Sequence, residues 1–162
     1  SRPDSRKWWQ LLLPVVVLLS AFGVDFFWQT DYEKIDLLIK ASKEAVIAGD
    51  IEQIEAIISP NYCDSFHDSR AQLLSFCSRI LSEPLAEKIK ELYSKTEILE
   101  SRADTELEVV VHLRQGSVYA MAGKIVSVKL KLYFSKTADK KWLIESSEVL
   151  TVNKQLWGWK KR

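Results

Sequence analysis

Little in this chain of 162 residues punctuates or cross-links it: there are two cysteines, four prolines, five glycines and one methionine. Two cysteines, Cys63 and Cys77, are too few for a disulfide scaffold, so stability has to come from a hydrophobic core. Two readings of them stay open, one bridge in an oxidising compartment or two separate thiols. With so little proline and glycine there is no long linker and no low-complexity tract, and no internal repeat is visible. The sequence also contains no P-loop, no G-x-G-x-x-G and no calcium loop, which speaks against nucleotide chemistry. No sign of charge dominates, since 23 basic and 22 acidic residues leave a formal net charge of +1. A dedicated nucleic-acid binder would need a basic surface to neutralise phosphates, so none is expected. Histidine is equally scarce. Cys63, His67, Cys77 and His112 would make four zinc ligands by number, but they lack the paired short spacings of a structural zinc site. No metal and no cofactor is expected. Ser65 and Ser69 lie near His67 without the G-x-S-x-G elbow of a hydrolase.

What the chain does have is one long apolar run, Trp8 to Trp28, with Arg2, Arg6 and Lys7 before it and Asp25, Asp31 and Glu33 at or beyond its far end. At about 1.5 Å per residue a helix of that length extends about 31 Å, enough to cross a hydrocarbon core of about 30 Å. Cations on its leading side predict an N-terminus held in the cytoplasm and a C-terminal domain outside it, periplasmic in a Gram-negative cell. Trp8, Trp9, Phe26, Phe27 and Trp28 suit the two membrane interfaces. The competing reading is a cleaved signal peptide, with Ala21-Phe22-Gly23 as the cleavage site. The expected organisation is a cytoplasmic segment over 1–7, a membrane span over 8–28, a domain over 29–153 and an aromatic and basic tail over 154–162. In that tail Trp157 and Trp159 stand beside Lys160, Lys161 and Arg162, a composition suited to a headgroup surface or an acidic partner.

Beyond the run, helical spacing gives way to strand spacing. Thr30 and Glu33 make a capping box ahead of Ile35, Leu38, Ile39, Ser42, Ala45 and Val46, which predicts a helix over about 31–48 ending at Gly49. Asp50 and Gln53 open a second helix carrying Ile51, Ile54, Ile57 and Ile58, stopped by Ser59-Pro60-Asn61. A third begins near Ser69 and turns Leu73, Leu74, Phe76, Cys77, Ile80 and Leu81 inward. Pro84 is expected to open a short fourth helix through Leu92. Alternation then predicts strands: Leu107, Val109, Val111 and Leu113 on one face, later Val126, Val128, Leu130, Leu132 and Phe134, with Lys95 to Ser101 and Trp142 to Val152 making about four. Helices first and consecutive strands afterwards imply an α+β fold, helices packed on a curved, mainly antiparallel sheet.

The passage Ala48-Gly49-Asp50, Ile54, Ile57-Ile58 and Asn61-Tyr62, followed by strands ending in Trp142, Ile144 and Glu145, resembles the nuclear transport factor 2-like, or SnoaL-like, superfamily over about residues 30–153. The resemblance implies a cone-shaped α+β domain, often dimeric through its sheet, in a superfamily that includes ketosteroid isomerases, scytalone dehydratases and non-catalytic binding and assembly domains. Such a fold does not decide function. Acid–base members use Asp, His or Tyr projecting into the cone. Candidates here are Tyr62, Asp64, His67, Asp68, His112, Tyr119, Tyr133 and Glu145, with Tyr62, Asp64 and His67 first among them. His67 reads either as a base oriented by Asp64 or Asp68 or as a surface-loop histidine whose neighbours cap the next helix. The combined expectation is a membrane-anchored, non-catalytic interaction or assembly module that docks a protein partner, or a second copy of itself, at the membrane surface. The alternative is a small-molecule binder or cofactor-independent acid–base enzyme that takes a small apolar ligand into the cone.

Overall fold

The computed structural model describes residues 30–117 and 123–156. Three helices come first: α1 (Asp31–Ala48), α2 (Ile51–Ile57) and α3 (Arg70–Ile80). Five strands follow: β1 (Ala86–Leu99), β2 (Arg102–Leu113), β3 (Ile125–Lys136), β4 (Trp142–Val152) and β5 (Gln155–Leu156). They form one antiparallel meander in the order β1-β2-β3-β4-β5. The helices begin where side chains can satisfy the otherwise unpaired N–H groups of a first turn. Thr30 Oγ1 accepts from Glu33 N at 3.3 Å while Glu33 Oε2 accepts from Thr30 N at 2.9 Å. Asp50 and Ser69 cap α2 and α3 with the first of these bonds alone, accepting from Gln53 N and Gln72 N. Gly49 closes α1 at φ +68°, a left-handed conformation that favours glycine, and a Cβ there would come within 3.1 Å of the Leu81 carbonyl oxygen.

One face of the sheet meets the helices. Ala103, Thr105, Leu107 and Val109 of β2 lie opposite Phe134, Leu132, Leu130 and Val128 of β3, and Ile35, Ile39, Ala45 and Ile54 pack onto them. The other face is polar, with Asp104 and Glu106 ion-paired to Lys131 and Lys129 at 2.9 and 2.5 Å. Irregularities in the β1–β2 and β3–β4 registers bend the sheet over its helices, as bulges do. At one corner the start of α1 is tied to the sheet: Asp31 Oδ2 accepts from Lys136 Nζ at 2.7 Å and Asp31 Oδ1 from Trp142 Nε1 at 3.1 Å. The segment after α2 runs along the free edge of β4, where Ser59 N donates to Ile144 O at 2.8 Å and Cys63 N to Glu145 O at 3.1 Å.

Several expectations change. The short helix placed after Pro84 is strand: Ala86–Leu99 forms one long edge strand that also absorbs the predicted strand from Lys95. Phe76, expected to turn inward, is 41 % exposed. The sheet runs past residue 153 into β5, beyond the predicted start of the tail. The transmembrane part of the expected fold class is also corrected. No helix among the described residues is long and apolar enough to cross a membrane. The longest, α1, spans 18 residues but carries Asp31, Glu33, Lys34, Asp36, Lys40, Lys43 and Glu44, charges that a hydrocarbon core does not accept. The span over 8–28, with Trp8, Trp9, Phe26, Phe27 and Trp28, and the tail residues Trp157 and Trp159 lie outside the described residues. The described residues thus give no support to a single-pass membrane localisation, an N-terminal anchor or a membrane-docked partner; the architecture they show is the α+β cone.

Candidate functional site

The cone is filled at one end and hollow at the other. At the filled end Ile35, Phe134 and Thr105 are almost wholly buried, and the Thr105 hydroxyl is paired with that of Thr96 at 2.8 Å. At the hollow end is a cavity of 260 Å³ between the second half of α1, helices α2 and α3, and the inner face of β1 to β4. Its walls are mostly aliphatic, including Val46, Ile54, Ile57, Leu107, Val109 and Leu130. Its polar groups are few: Ser42, Lys43, Tyr62, Cys77 and Ser147. An apolar cavity with a small number of placed polar groups is the usual form of a small-molecule site, and this one falls just below the common range, about 300–1,000 Å³.

A chain of hydrogen bonds leads from the surface to that cavity. The edge pairing after α2 buries Tyr62 to 2 % exposure and brings its hydroxyl within 2.8 Å of Ser147 Oγ on β4. Tyr62 Oη also donates to Asp64 Oδ2. Asp64 is a turn residue, and its Oδ1 accepts from the N–H groups of Phe66 at 2.6 Å and His67 at 2.7 Å. His67 Nδ1 lies 3.2 and 3.1 Å from the two carboxylate oxygens. The imidazole is held against Phe76, ring centroids 5.1 Å apart. Burial raises the proton affinity of Asp64, but the hydrogen bonds from Tyr62, His67 and the two backbone N–H groups outweigh it and hold the carboxyl below its ordinary range. Tyr62 moves the other way: burial first, then donation to the carboxylate, push its phenol up. Burial likewise pushes the Cys77 thiol up.

Chemically, Asp64 is an anchored anion. Four donors occupy roughly the four lone-pair positions a carboxylate offers, so no free position is left to take a proton from a bound molecule. Tyr62 is a neutral phenol whose one proton is committed to Asp64.

Three candidates from the sequence, Tyr62, Asp64 and His67, are thus brought together, while the others are not. Asp68 is exposed, its N–H bonded to Gln72 Oε1 at 3.0 Å ahead of α3. His112 lies opposite Lys88 and Ile125, away from the cavity. Tyr133 and Glu145 line a separate cavity of 850 Å³ with Asn61, Cys63, Glu97 and Arg102. That cavity is larger, but Glu97 and Asp104 within it are already paired with Lys95 and Lys131 at 2.7 and 2.9 Å. Tyr119 lies outside the described residues. Cys63 and Cys77 are free thiols, the first exposed and the second half-buried in the cone. No group of three or more metal-ligating side chains gathers among the described residues. Sequence reasoning missed Ser147; it placed Ser42 and Cys77 on the inward faces of their helices without marking them as cavity residues.

Solved structures share this architecture. A protein of unknown function with a cystatin-like fold from Nostoc punctiforme superposes with a TM-score of 0.63 at 14 % identity, covering 78 % of this chain and 94 % of that one. An NTF2-like protein from Cytophaga hutchinsonii gives 0.59 at 8 % identity, with 75 % and 98 % covered. The fold is NTF2-like. A proposed ketosteroid isomerase from Parabacteroides distasonis matches at 0.54 and 14 % identity over 68 % of this chain and 82 % of that one. At these identities the NTF2-like likeness establishes fold and nothing finer. No protein-family model matches the chain, and no curated protein sequence does.

Proposed function

We propose that this NTF2-like domain is a small-molecule-binding protein that takes a small, mainly apolar compound into the hollow end of its cone. One observation carries this reading: a 260 Å³ aliphatic cavity meets a buried, fully hydrogen-bonded polar chain at a single wall, Tyr62 and Ser147. An apolar cavity of about 150 Å³ suffices to hold benzene, so a compound of one ring, or slightly more, fits the space. The ketosteroid isomerase name carried by one structural relative is in keeping with an apolar guest. Asp64 and His67 then orient Tyr62 and make no contact with the guest.

Cys77 lines the cavity and Cys63 does not, so the two thiols report occupancy separately. Alkylation by iodoacetamide at mildly alkaline pH, read residue by residue by mass spectrometry, should slow at Cys77 and stay unchanged at Cys63 when benzene is added. Equal rates at Cys77 with and without benzene would count against binding in the cone.

A further inference from the structure

We infer that the cone prefers a small apolar carboxylate, with its hydrocarbon body inside the cavity and its anionic head on the Lys43 ammonium at the rim. The inference rests on the binding reading above and adds the charge of the guest.

Lys43 joins the cavity to the surface. It lines the aliphatic space beside Val46 and Ile89, yet its side chain is 22 % exposed and its Nζ lies 2.6 Å from Glu91 Oε2 on the edge strand β1. Lysine commonly lays its methylene stem along apolar surface and keeps its charge in water. Glu91 itself does not line the cavity, and neither does any other described carboxylate. Tyr62 and Cys77 do line it, but burial raises both, so they stay neutral at about pH 7. The one charge on the described wall is therefore positive. An ammonium has three N–H donors, and Glu91 takes one of Lys43's, so the others can serve a guest. Bonds from an ammonium to a carboxylate are stronger than those to a neutral oxygen. The second polar wall lies across the sheet, where Tyr62 meets Ser147 on β4, with β2 and β3 between that pair and β1. Its phenol proton is already given to Asp64. The guest is thus oriented with its charged end toward β1 and its apolar end toward β4.

The matched probes are cyclohexanecarboxylate, cyclohexanol and cyclohexylammonium, which share a ring and differ in charge. Titration of the full chain at about pH 7 and low salt should show the carboxylate binding about fivefold more tightly than the alcohol, the upper end for partly exposed charges. The ammonium should bind most weakly. Added salt should narrow the gap, because charges at a rim are screened. Lys43→Met keeps the stem and removes the charge, so the carboxylate should lose its advantage over the alcohol, while Lys43→Arg should retain it. Glu91→Gln removes the competing acceptor and should widen the gap. Equal binding of carboxylate and alcohol by the unaltered protein, tighter binding of the alcohol or the ammonium, or a carboxylate preference that survives Lys43→Met would overturn the inference while leaving a binding cone intact. Failure of all three probes to bind would overturn the binding reading along with it.

Discussion

The filled and hollow ends of the cone are built from the same strands and the same helix, yet their inward side chains pack differently. Along α1, Ile35 and Ile39 point into packed core, while Ser42, Lys43 and Val46 one and two turns on face the cavity. Along β3, Phe134 is 1 % exposed in the packed region, and Leu132 and Leu130 line the space. The aromatic residues Phe134 and Trp142 supply volume at the filled end, and Asp31 locks it from outside through Lys136 and Trp142. At the hollow end aliphatic side chains stop short of one another, and the aromatic present, Tyr62, spends its hydroxyl on Asp64 and Ser147. The cavity thus follows from where bulk is placed, and its polarity from one loop.

The contrast breaks most visibly at Phe134. Phe134→Ala should cost about 3–5 kcal/mol, the range for a large core residue replaced by a methyl group, measured as a shift in the urea midpoint at constant slope. Adding volume separates the ends more finely. Ala45→Leu, at a 0 % exposed core position that lines neither cavity, should overpack and cost about 1–3 kcal/mol. Cys77→Leu, which grows into the cavity, should cost less than that overpacking while weakening probe binding.

The acid limb of the stability curve sharpens the comparison further. Asp31 is held below the ordinary aspartate range by its hydrogen bond from Lys136 and then that from Trp142, and Asp64 by its donors acting against burial. Carboxyls lowered in the folded state add stability that is fully present above the unfolded value, about pH 4. That stability is lost as pH falls through the folded values. Unfolding midpoints should therefore fall steeply with pH below about 4, and Asp31→Asn and Asp64→Asn should each flatten that fall. Only Asp64→Asn should also alter probe binding. The smallest effect belongs to the outer face. Lys129→Met removes an exposed pair with Glu106 and should leave both midpoint and binding unchanged, since such pairs add little.

Much of the frame was legible in the chain because it is encoded locally. Thr30 with Glu33, Asp50 with Gln53 and Ser69 with Gln72 mark three helix starts by spacing alone. Unbroken alternation marks β2 and most of β3. The first half of β1, which reads as a short helix through Leu92, was hidden for two physical reasons, while its end from Lys95 reads as strand. β1 is an edge strand with most side chains exposed, and its register slips between Ala86 and Lys88 and again between Glu91 and Tyr93. The inward residues Ile89 and Ile98 consequently fall on opposite parities of the sequence, and no period of two survives. The same effect concealed half of the site. Tyr62, Asp64 and His67 are close in sequence and could be grouped by eye. Ser147 is brought to Tyr62 by a register shift in β4 that turns both Ile144 and Ser147 inward, which alternation from Ile144 would not allow. A cavity is harder still to read, because it depends on which side chains fail to meet.

The decisive measurement is a methyl-resolved NMR titration of the full chain with cyclohexanol. Binding in the hollow end predicts saturable shifts at Val46, Ile54, Leu107, Val109 and Leu130, with Ile35 and Ile39 unmoved. Absence of saturable shifts, or shifts spread equally over both ends, would contradict it.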